Sequence, residues 1–287
     1  MSKKVVLITG TNSGFGWLTA NSLAALGHKV YATMRDTDGK NADRAKALSE
    51  LANVTVLDVT LTDETSVKNA FDTIITKEGT IDVLVNNAGV SIFGVAESAT
   101  PADVQRIFDV NVIAPWRLMK LALPAMRKQS EGLIINISSG WGRFSAPFSA
   151  VYGASKFALE GLSEGLHYEV RPLGIDVAIL QPGAFPTEMS QKIQTGSDTS
   201  VVDGYKLIAA FPDKMFSAIG QMFETIKPNP QDVADAVVKL INLPKGQRPL
   251  RTTVDPATGE IVKAANDAVQ VEYAKGLTAF GLKDLLA

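Results

Sequence analysis

Short runs of β-branched and aliphatic residues alternate along the chain with longer stretches whose apolar positions recur every three or four residues. The runs Val5–Ile8, Lys29–Thr33, Val54–Leu57, Val83–Asn86, Leu133–Ser138, Asp176–Leu180 and Pro249–Thr253 predict strands. Between them, Gly14–Leu26, Ala42–Ala52, Asp63–Lys77, Pro101–Lys128, Val151–Arg171 and Pro230–Leu243 predict helices. Strands that each lead into a helix argue for βαβ units and a parallel sheet. The strands are almost continuously apolar, as required when helices cover both faces of the sheet. The expectation is an α/β chain: one doubly wound parallel sheet of about seven strands, with helices on both faces.

No Pro/Gly/Ser-rich linker, low-complexity block or fixed repeat divides residues 1–287, so they read as a single domain. Residues 188–229 break the rhythm. They carry Met189, Phe211, Met215, Phe216, Ile219, Met222 and Phe223 without a clear strand. They fit an ordinary helical packing segment or a Met- and Phe-rich lid over a pocket. Residues 256–287 form a C-terminal extension of helical character that could dock on the body or on a partner subunit.

Composition narrows the chemistry. The chain has 287 residues and a net charge of −2, a balance that argues against a broad nucleic-acid surface. There is no cysteine, which excludes disulfides, thiolate catalysis and Cys-ligated metals. His28 and His167 are the two histidines, too few for a zinc site of the hydrolase kind, and both read as structural. No apolar run reaches the ~18 residues of a membrane span. The first strand follows the N-terminal lysines without a secretory leader, so cytoplasmic residence is expected.

Two constellations carry chemistry. The first strand runs into Thr9-Gly10-Thr11-Asn12-Ser13-Gly14-Phe15-Gly16 and then a helix. Glycines there permit a tight turn and let backbone N–H groups approach a pyrophosphate at the helix N-terminus, as in Rossmann-type nucleotide sites. Further on, Tyr152 and Lys156 stand four residues apart on a helical stretch, and Ser139 lies thirteen residues before the tyrosine. Residues at that spacing share a helix face. An ammonium beside a phenol favours its ionised form, and a phenol tuned in this way can exchange a proton near neutral pH. Ser139, at the end of a strand, could hydrogen-bond the same substrate oxygen, with Ser138 as a support.

With these motifs in this order, the chain resembles the classical short-chain dehydrogenase/reductase family, in its ketoreductase and hydroxysteroid-dehydrogenase-like branch. The likeness covers residues 4 to about 255. It rests on the glycine turn, Asp58-Val59, Asn86-Asn87-Ala88-Gly89, Asn111, Ser139, Tyr152-x-x-x-Lys156, and Pro182-Gly183 with Thr187. The resemblance implies that Gly10, Asn12, Ser13, Gly14, Phe15 and Gly16 cradle a dinucleotide. It implies that Asp58, beside Val59, bonds the adenine amino group and that Asn86, Ala88 and Gly89 lie near the adenosine ribose. Thr187, following Pro182 and Gly183, would contact the nicotinamide carboxamide, and Tyr152 and Lys156 its ribose. Asn111 would hold a water beside Lys156 through its backbone carbonyl.

After the second strand, Met34 takes the position where an acid would bond the ribose 2′-OH of NAD, and Arg35 follows it. A guanidinium suits a 2′-phosphate, so NADPH/NADP+ is expected in preference to NADH, unless Arg35 instead pairs with Asp36 or Asp38. Ser13 is a departure: many NADP-using relatives carry a basic residue there. The implied activity is reversible hydride transfer between nicotinamide C4 and a hydrophobic ketone or secondary alcohol, with Tyr152 as general acid/base and no metal. Trp141, Phe144, Phe148, Phe185 and Met189 are the candidate pocket walls, with Val90, Ile92 and Phe93 flanking. The alternatives are an NADP-binding sensor without turnover, or an epimerase or dehydratase on the same scaffold. The partners expected are a small-molecule carbonyl compound and further copies of the chain, as a dimer or tetramer through helices 101–128 and 151–171. Neither nucleic acid nor membrane is expected as a partner.

Overall fold

The computed structural model describes residues 3–189 and 192–286. Residues 190, 191 and 287, which fall in the expected lid and extension, lie outside the described residues. The strands are β1 (Val5–Thr9), β2 (Lys29–Met34), β3 (Val54–Asp58), β4 (Val83–Asn86), β5 (Gly132–Ile137), β6 (Ile175–Pro182) and β7 (Arg251–Val254). They form one seven-stranded sheet in the order β3-β2-β1-β4-β5-β6-β7. Every pairing is parallel. The order reverses between β1 and β4, and the crevice at such a switch point is where open α/β sheets bind ligands.

Alternate strand residues feed two cores. Val6 and Ile8 of β1 pack with Ala20 and Leu23 of α1 (Gly14–Ala25), Leu48 of α2 (Ala42–Ser49) and Val233, Val237 and Leu240. Val5 and Leu7 face the other way, onto Val67, Phe71 and Ile74 of α3 (Glu64–Glu78) and onto Leu118, Met119 and Met126. Local signals set several ends. The Asp63 carboxylate caps α3 by accepting from the Thr65 and Ser66 N–H groups, and Gly79 closes it at φ 76°, a left-handed conformation that glycine tolerates. Thr100 and Asp103 form a capping box at the start of α4 (Pro101–Phe108), with Pro101 at its first position.

The helix expected over 101–128 is not continuous. It divides into α4, a π-helical turn at Asp109–Ile113, and α5 (Ala114–Gln129). Pro115 supplies the reason: it has no N–H to give the carbonyl four residues earlier, that of Asn111. The strand β2 runs one residue further than expected. Met34 is buried in the core and pairs with Asp58, so Arg35, not Met34, is the first residue past the strand.

The helix α6 (Ala150–Val170) packs on β6 and bonds β5 through Lys156 and Ser163. Residues 188–229 contain a 3₁₀ segment, Val202–Ile208, and a helix, α7 (Phe211–Ile226). This region is fastened to the body. Phe216 lies 4.6 Å from Phe93 between ring centres, and Gln194 bridges Ile92 in a parallel sense. The Ser197 N–H and hydroxyl both donate to the Asp103 carboxylate, at 2.9 and 2.8 Å. Those bonds, with those from Thr100, hold Asp103 well below the usual carboxylate range. After α8 (Gln231–Asn242) and β7, the extension forms α9 (Gly259–Ala279), which docks on the same chain. Tyr273 stacks on Tyr168 at 5.1 Å, and Gln270 donates to the Tyr168 hydroxyl at 3.1 Å. His28 and His167 are buried with backbone partners, the Lys4 N–H and the Val177 carbonyl.

A buried ion pair joins β6 to the approach of β7. Arg248 Nη1 lies 2.6 Å from Asp176 Oδ2, with both side chains almost fully enclosed. Removing one partner strands the other charge in the interior. Asp176→Ala should therefore lower unfolding free energy by about 3–5 kcal/mol, measured by urea denaturation. An unchanged midpoint would contradict this.

Candidate active site

At the switch point, the turn after β1 and the turn after β4 are laced together. The Asn87 side-chain amide donates to the carbonyls of Thr9 and Gly10 at 2.8 and 3.1 Å. The N–H groups of Asn87 and Ala88 both donate to the Thr9 hydroxyl at 3.0 Å. Gly10 has φ 69°, and a Cβ there would stand 2.9 Å from the Ala88 Cα; one on Gly16 would run into the Gly10 carbonyl and the Asn87 amide. The bare backbone of the turn leads into α1, whose N-terminus already meets a negative charge. Glu188 Oε2 accepts from the Gly14 N–H at 3.1 Å, while its other oxygen lies 3.6 Å from Arg44. A carboxylate held in this way shows that the helix end accepts an anion, and the glycine cradle fits the pyrophosphate of a dinucleotide.

The reacting groups gather on the β4–β5 side. Ser139 follows β5 and caps the 3₁₀ turn Gly140–Gly142, its oxygen accepting from the Trp141 N–H at 3.1 Å. Its hydroxyl lies near the Tyr152 phenol and favours the ionised form. Lys156, one turn along α6, is buried and donates from Nζ to the Ile137 carbonyl at 2.8 Å. It stands 5.8 Å from the Tyr152 ring centre. A Cβ on Gly89 would lie 3.5 Å from Asn111 Oδ1 and 3.7 Å from Lys156 Nζ, so these three residues adjoin. Asn111 uses its side chain to grip Val90, accepting from its N–H and donating to its carbonyl at 2.9 Å, and donates also to Ser155 at 3.0 Å. Its backbone carbonyl lies in the π turn, where Pro115 has no N–H to give it.

The electrostatics differ from the sequence expectation. Burial pushes the Tyr152 phenol up to about 12, and the neighbouring Ser139 hydroxyl opposes it. The expected lowering by Lys156 is not seen; burial dominates. Burial likewise brings Lys156 down to about 8, against the nearby Glu160 carboxylate, which favours the charged form.

Glu160 belongs to a buried network that sequence reasoning missed. Its Oε1 accepts from the hydroxyl of Ser138 at 2.9 Å and from the Gln181 amide at 2.8 Å. Arg251 donates to Glu160 at 3.0 Å and to Glu164 at 2.9 Å. The available signal was a carboxyl four residues past Lys156 within an apolar stretch of the same helix. Glu188, Arg44 and Lys192 were missed as well; their proximity to the glycine turn arises from contacts far apart in sequence.

Other candidates are placed unevenly. Asp58 is exposed and accepts from the N–H and hydroxyl of Thr37, at 2.9 and 3.1 Å, bracing the loop after β2. Val59 is buried in the core. Arg35 is exposed, and among the described residues no carboxylate pairs with it. The Asn12 amide donates to the Asn41 side chain at 3.1 Å, and Asn41 donates to the Arg35 carbonyl at 2.6 Å. The Asn86 side chain points into a buried bond with Asn136 at 2.7 Å. Pro182 ends β6, the Gly183 N–H donates to the Val254 carbonyl at 2.9 Å, and Thr187 lies across from Gly14.

The pocket residues separate. Trp141 meets the Tyr152 ring edge-on at 6.1 Å, and Phe148 lies 6.1 Å from Phe93, on one side of an apolar recess lined by Ile92 and Val151. Phe144 and Met189 are exposed. Phe185 is not a pocket wall: it is buried in the core against Phe15, at 5.6 Å edge to face, because it points inward from the loop after β6.

The model of the short chain dehydrogenase family matches residues 4–198. The chain belongs to that family. It is 35% identical over 260 residues to 3-ketodihydrosphingosine reductase of Bacteroides thetaiotaomicron, covering 89% of each chain. It is 34% identical to human 17-beta-hydroxysteroid dehydrogenase type 1, covering 85% of this chain and 76% of that one. A short-chain dehydrogenase from Streptomyces avermitilis superposes with a TM-score of 0.75 at 29% identity, over 98% of this chain and 97% of that one. Solved relatives carry either form of the cofactor. A metagenomic short-chain oxidoreductase is in complex with NADP (27% identity, TM-score 0.69). The 3-ketoacyl-(acyl-carrier-protein) reductase of Brucella melitensis is complexed with NADH (25%, TM-score 0.72). Each is matched over 89% of this chain and 98% of its own. The family is one of oxidoreductases with nicotinamide cofactors, and among the described residues of this chain no helix is long and apolar enough to cross a membrane.

Lys156 makes stability depend on pH. Below about 8 the folded state holds a buried ammonium. Above that value it sheds the proton, whereas the unfolded chain keeps it to ~10.4, so the penalty is relieved as pH rises between the two. Lys156→Met should therefore raise the thermal midpoint at pH 7, with the gap to wild type narrowing by pH 10. A gap independent of pH would contradict the assignment.

Proposed function

We propose that this chain is an NADP(H)-dependent carbonyl reductase and alcohol dehydrogenase acting on a hydrophobic ketone or secondary alcohol. The observation that carries this reading is the convergence of Ser139, Tyr152, Lys156, Asn111 and Gly89 beside a glycine cradle at the switch point of the sheet. The nicotinamide group would give or take a hydride at C4. Tyr152 protonates the growing alkoxide in reduction and recovers the proton in oxidation. Its phenol, kept neutral by burial, enters as a proton donor. Ser139 donates to the same oxygen, where charge develops. Lys156, close to its titration midpoint near neutral pH, passes protons onward toward the Asn111 carbonyl.

The cofactor would be held by Gly10, Asn12, Ser13, Gly14, Phe15 and Gly16, by Asp58, Val59, Asn86, Ala88 and Gly89, and by Pro182, Gly183 and Thr187. Phe15, Val59 and Pro182 would serve through their backbone. The unpaired guanidinium of Arg35 supports NADP(H) over NAD(H). Trp141 beside Tyr152, with the Phe93 and Phe148 recess, supports an apolar substrate. Two relatives named for a keto and a hydroxy group on apolar skeletons agree with it. Ile113, Trp116 and Phe157, large apolar residues exposed within 101–128 and 151–171, support assembly of further copies.

Oxidation of NADPH against a panel of hydrophobic ketones, with chiral analysis of the products, tests the activity. Tyr152→Phe should lower turnover by ~10²–10⁴-fold while leaving NADP+ binding intact. Near wild-type rates in that variant would overturn the proposed role. The kcat/KM should be markedly higher with NADPH than with NADH, and equal values would overturn the cofactor preference.

A further inference from the structure

Ser13 brings no charge to the ribose side of the glycine turn, yet the turn does not lack one. Lys192, 179 positions later in the chain, donates from Nζ to Ser13 Oγ at 3.1 Å. We infer that Lys192 is a ligand of the 2′-phosphate of NADP(H) and, with Arg35, sets the preference for it over NAD(H). This rests on the cofactor reading above.

The placement follows from the sheet. Strands β1 and β2 pair with Thr9 opposite Thr33, so the residues beyond their ends lie side by side. The Thr11 N–H donates to the Thr33 carbonyl at 3.0 Å, and Asn41 links the Asn12 amide to the Arg35 carbonyl. Ser13 and Arg35 thus follow neighbouring strand ends, and Lys192 reaches this place by its bond to Ser13. Neither Lys192 nor Arg35 is in an ion pair among the described residues. The carboxylates nearby are engaged elsewhere. Asp58 accepts from Asp36 and Thr37, and Asp36 accepts from the Lys40 N–H at 2.9 Å.

Glu188, in the same stretch as Lys192, shows that the two ends of the turn are distinct. It goes to Gly14 and Arg44, on the side that meets a pyrophosphate, and not to Lys192. Two cations from separate segments, beside neighbouring strand ends, suit a dianion better than a hydroxyl.

The test is equilibrium binding to the full chain by titration calorimetry, with 2′,5′-ADP, 5′-AMP, NADP+ and NAD+ as probes. Lys192→Ala should weaken 2′,5′-ADP and NADP+ on the order of tenfold, as expected for loss of one charge-assisted contact. It should leave 5′-AMP and NAD+ unchanged, and Lys192→Arg should retain most of the affinity. An unchanged thermal midpoint would confirm that the variants fold. Equal weakening of all the probes would place Lys192 on a phosphate common to both cofactors and overturn the inference, as would no change in any. If the wild-type chain itself bound 2′,5′-ADP no more tightly than 5′-AMP, the NADP(H) preference would fall and this inference with it. A wild-type preference that survives Lys192→Ala would sink the inference alone.

Discussion

Lys156 carries an ammonium into the interior between α6 and the end of β5, and the site is arranged around keeping it there. A buried charge is tolerated only with partners. The Ile137 carbonyl provides one, at 2.8 Å, and the Glu160 carboxylate on the next turn provides an opposing charge. Glu160 in turn needs neutralising, and Arg251 does so while also bonding Glu164. The consequence at the reacting end is geometric. Lys156 is fixed against the strand that ends just before Ser139, so the helix face bearing Tyr152 is held over that strand's carboxyl end. The proton affinity of Lys156 is lowered by the same burial, to about 8.

Much of this was legible in the sequence. The strand runs were found because buried parallel strands must be almost wholly β-branched or aliphatic, and the observed ends differ from the expected ones by two residues at most. Ser139, Tyr152 and Lys156 could be singled out because spacing along one helix, or position after a strand, fixes which residues can meet, whereas Asn111 came only from the family resemblance. What failed did so for a physical reason. The 3.6-residue periodicity continues through Asp109–Ile113, so the π turn is invisible to it, and the absent N–H of Pro115 is the cue. The Tyr152 shift was misjudged because the burial of the phenol, which dominates it, is not visible in the spacing of two residues. Phe185 was misplaced because nearness in sequence to Pro182-Gly183 says nothing about the direction of a loop side chain.

Contacts over long sequence separation were out of reach. Lys192 on Ser13, Glu188 on Gly14 and Ser197 on Asp103 all come from the region after β6, where no periodicity fixes a partner. They share a pattern. Each brings a polar side chain of that region to a turn or helix start in the first half of the chain. The region that interrupted the strand–helix rhythm is thereby made part of the cleft's rim.

The extension after β7 bears on Ser139 by a similar route. The Asn266 amide of α9 donates to Gln181 Oε1 at 2.7 Å, and Gln181 donates to Glu160 at 2.8 Å. Glu160 accepts from Ser138, the neighbour of Ser139, at 2.9 Å. Gly142 completes the arrangement, since a Cβ there would stand 2.5 Å from the Ser138 oxygen and 2.7 Å from Glu160. Val262 of α9 lies 3.2 Å from where a Cβ on Gly140 would be. The 3₁₀ turn that Ser139 caps is therefore gripped from beneath by a carboxylate and from outside by the last helix. A hydroxyl on a loop is positioned well only when its loop is immobilised in this way. The α9 helix, which lies beyond the motifs of the family, thus takes part in setting where the Ser139 oxygen stands.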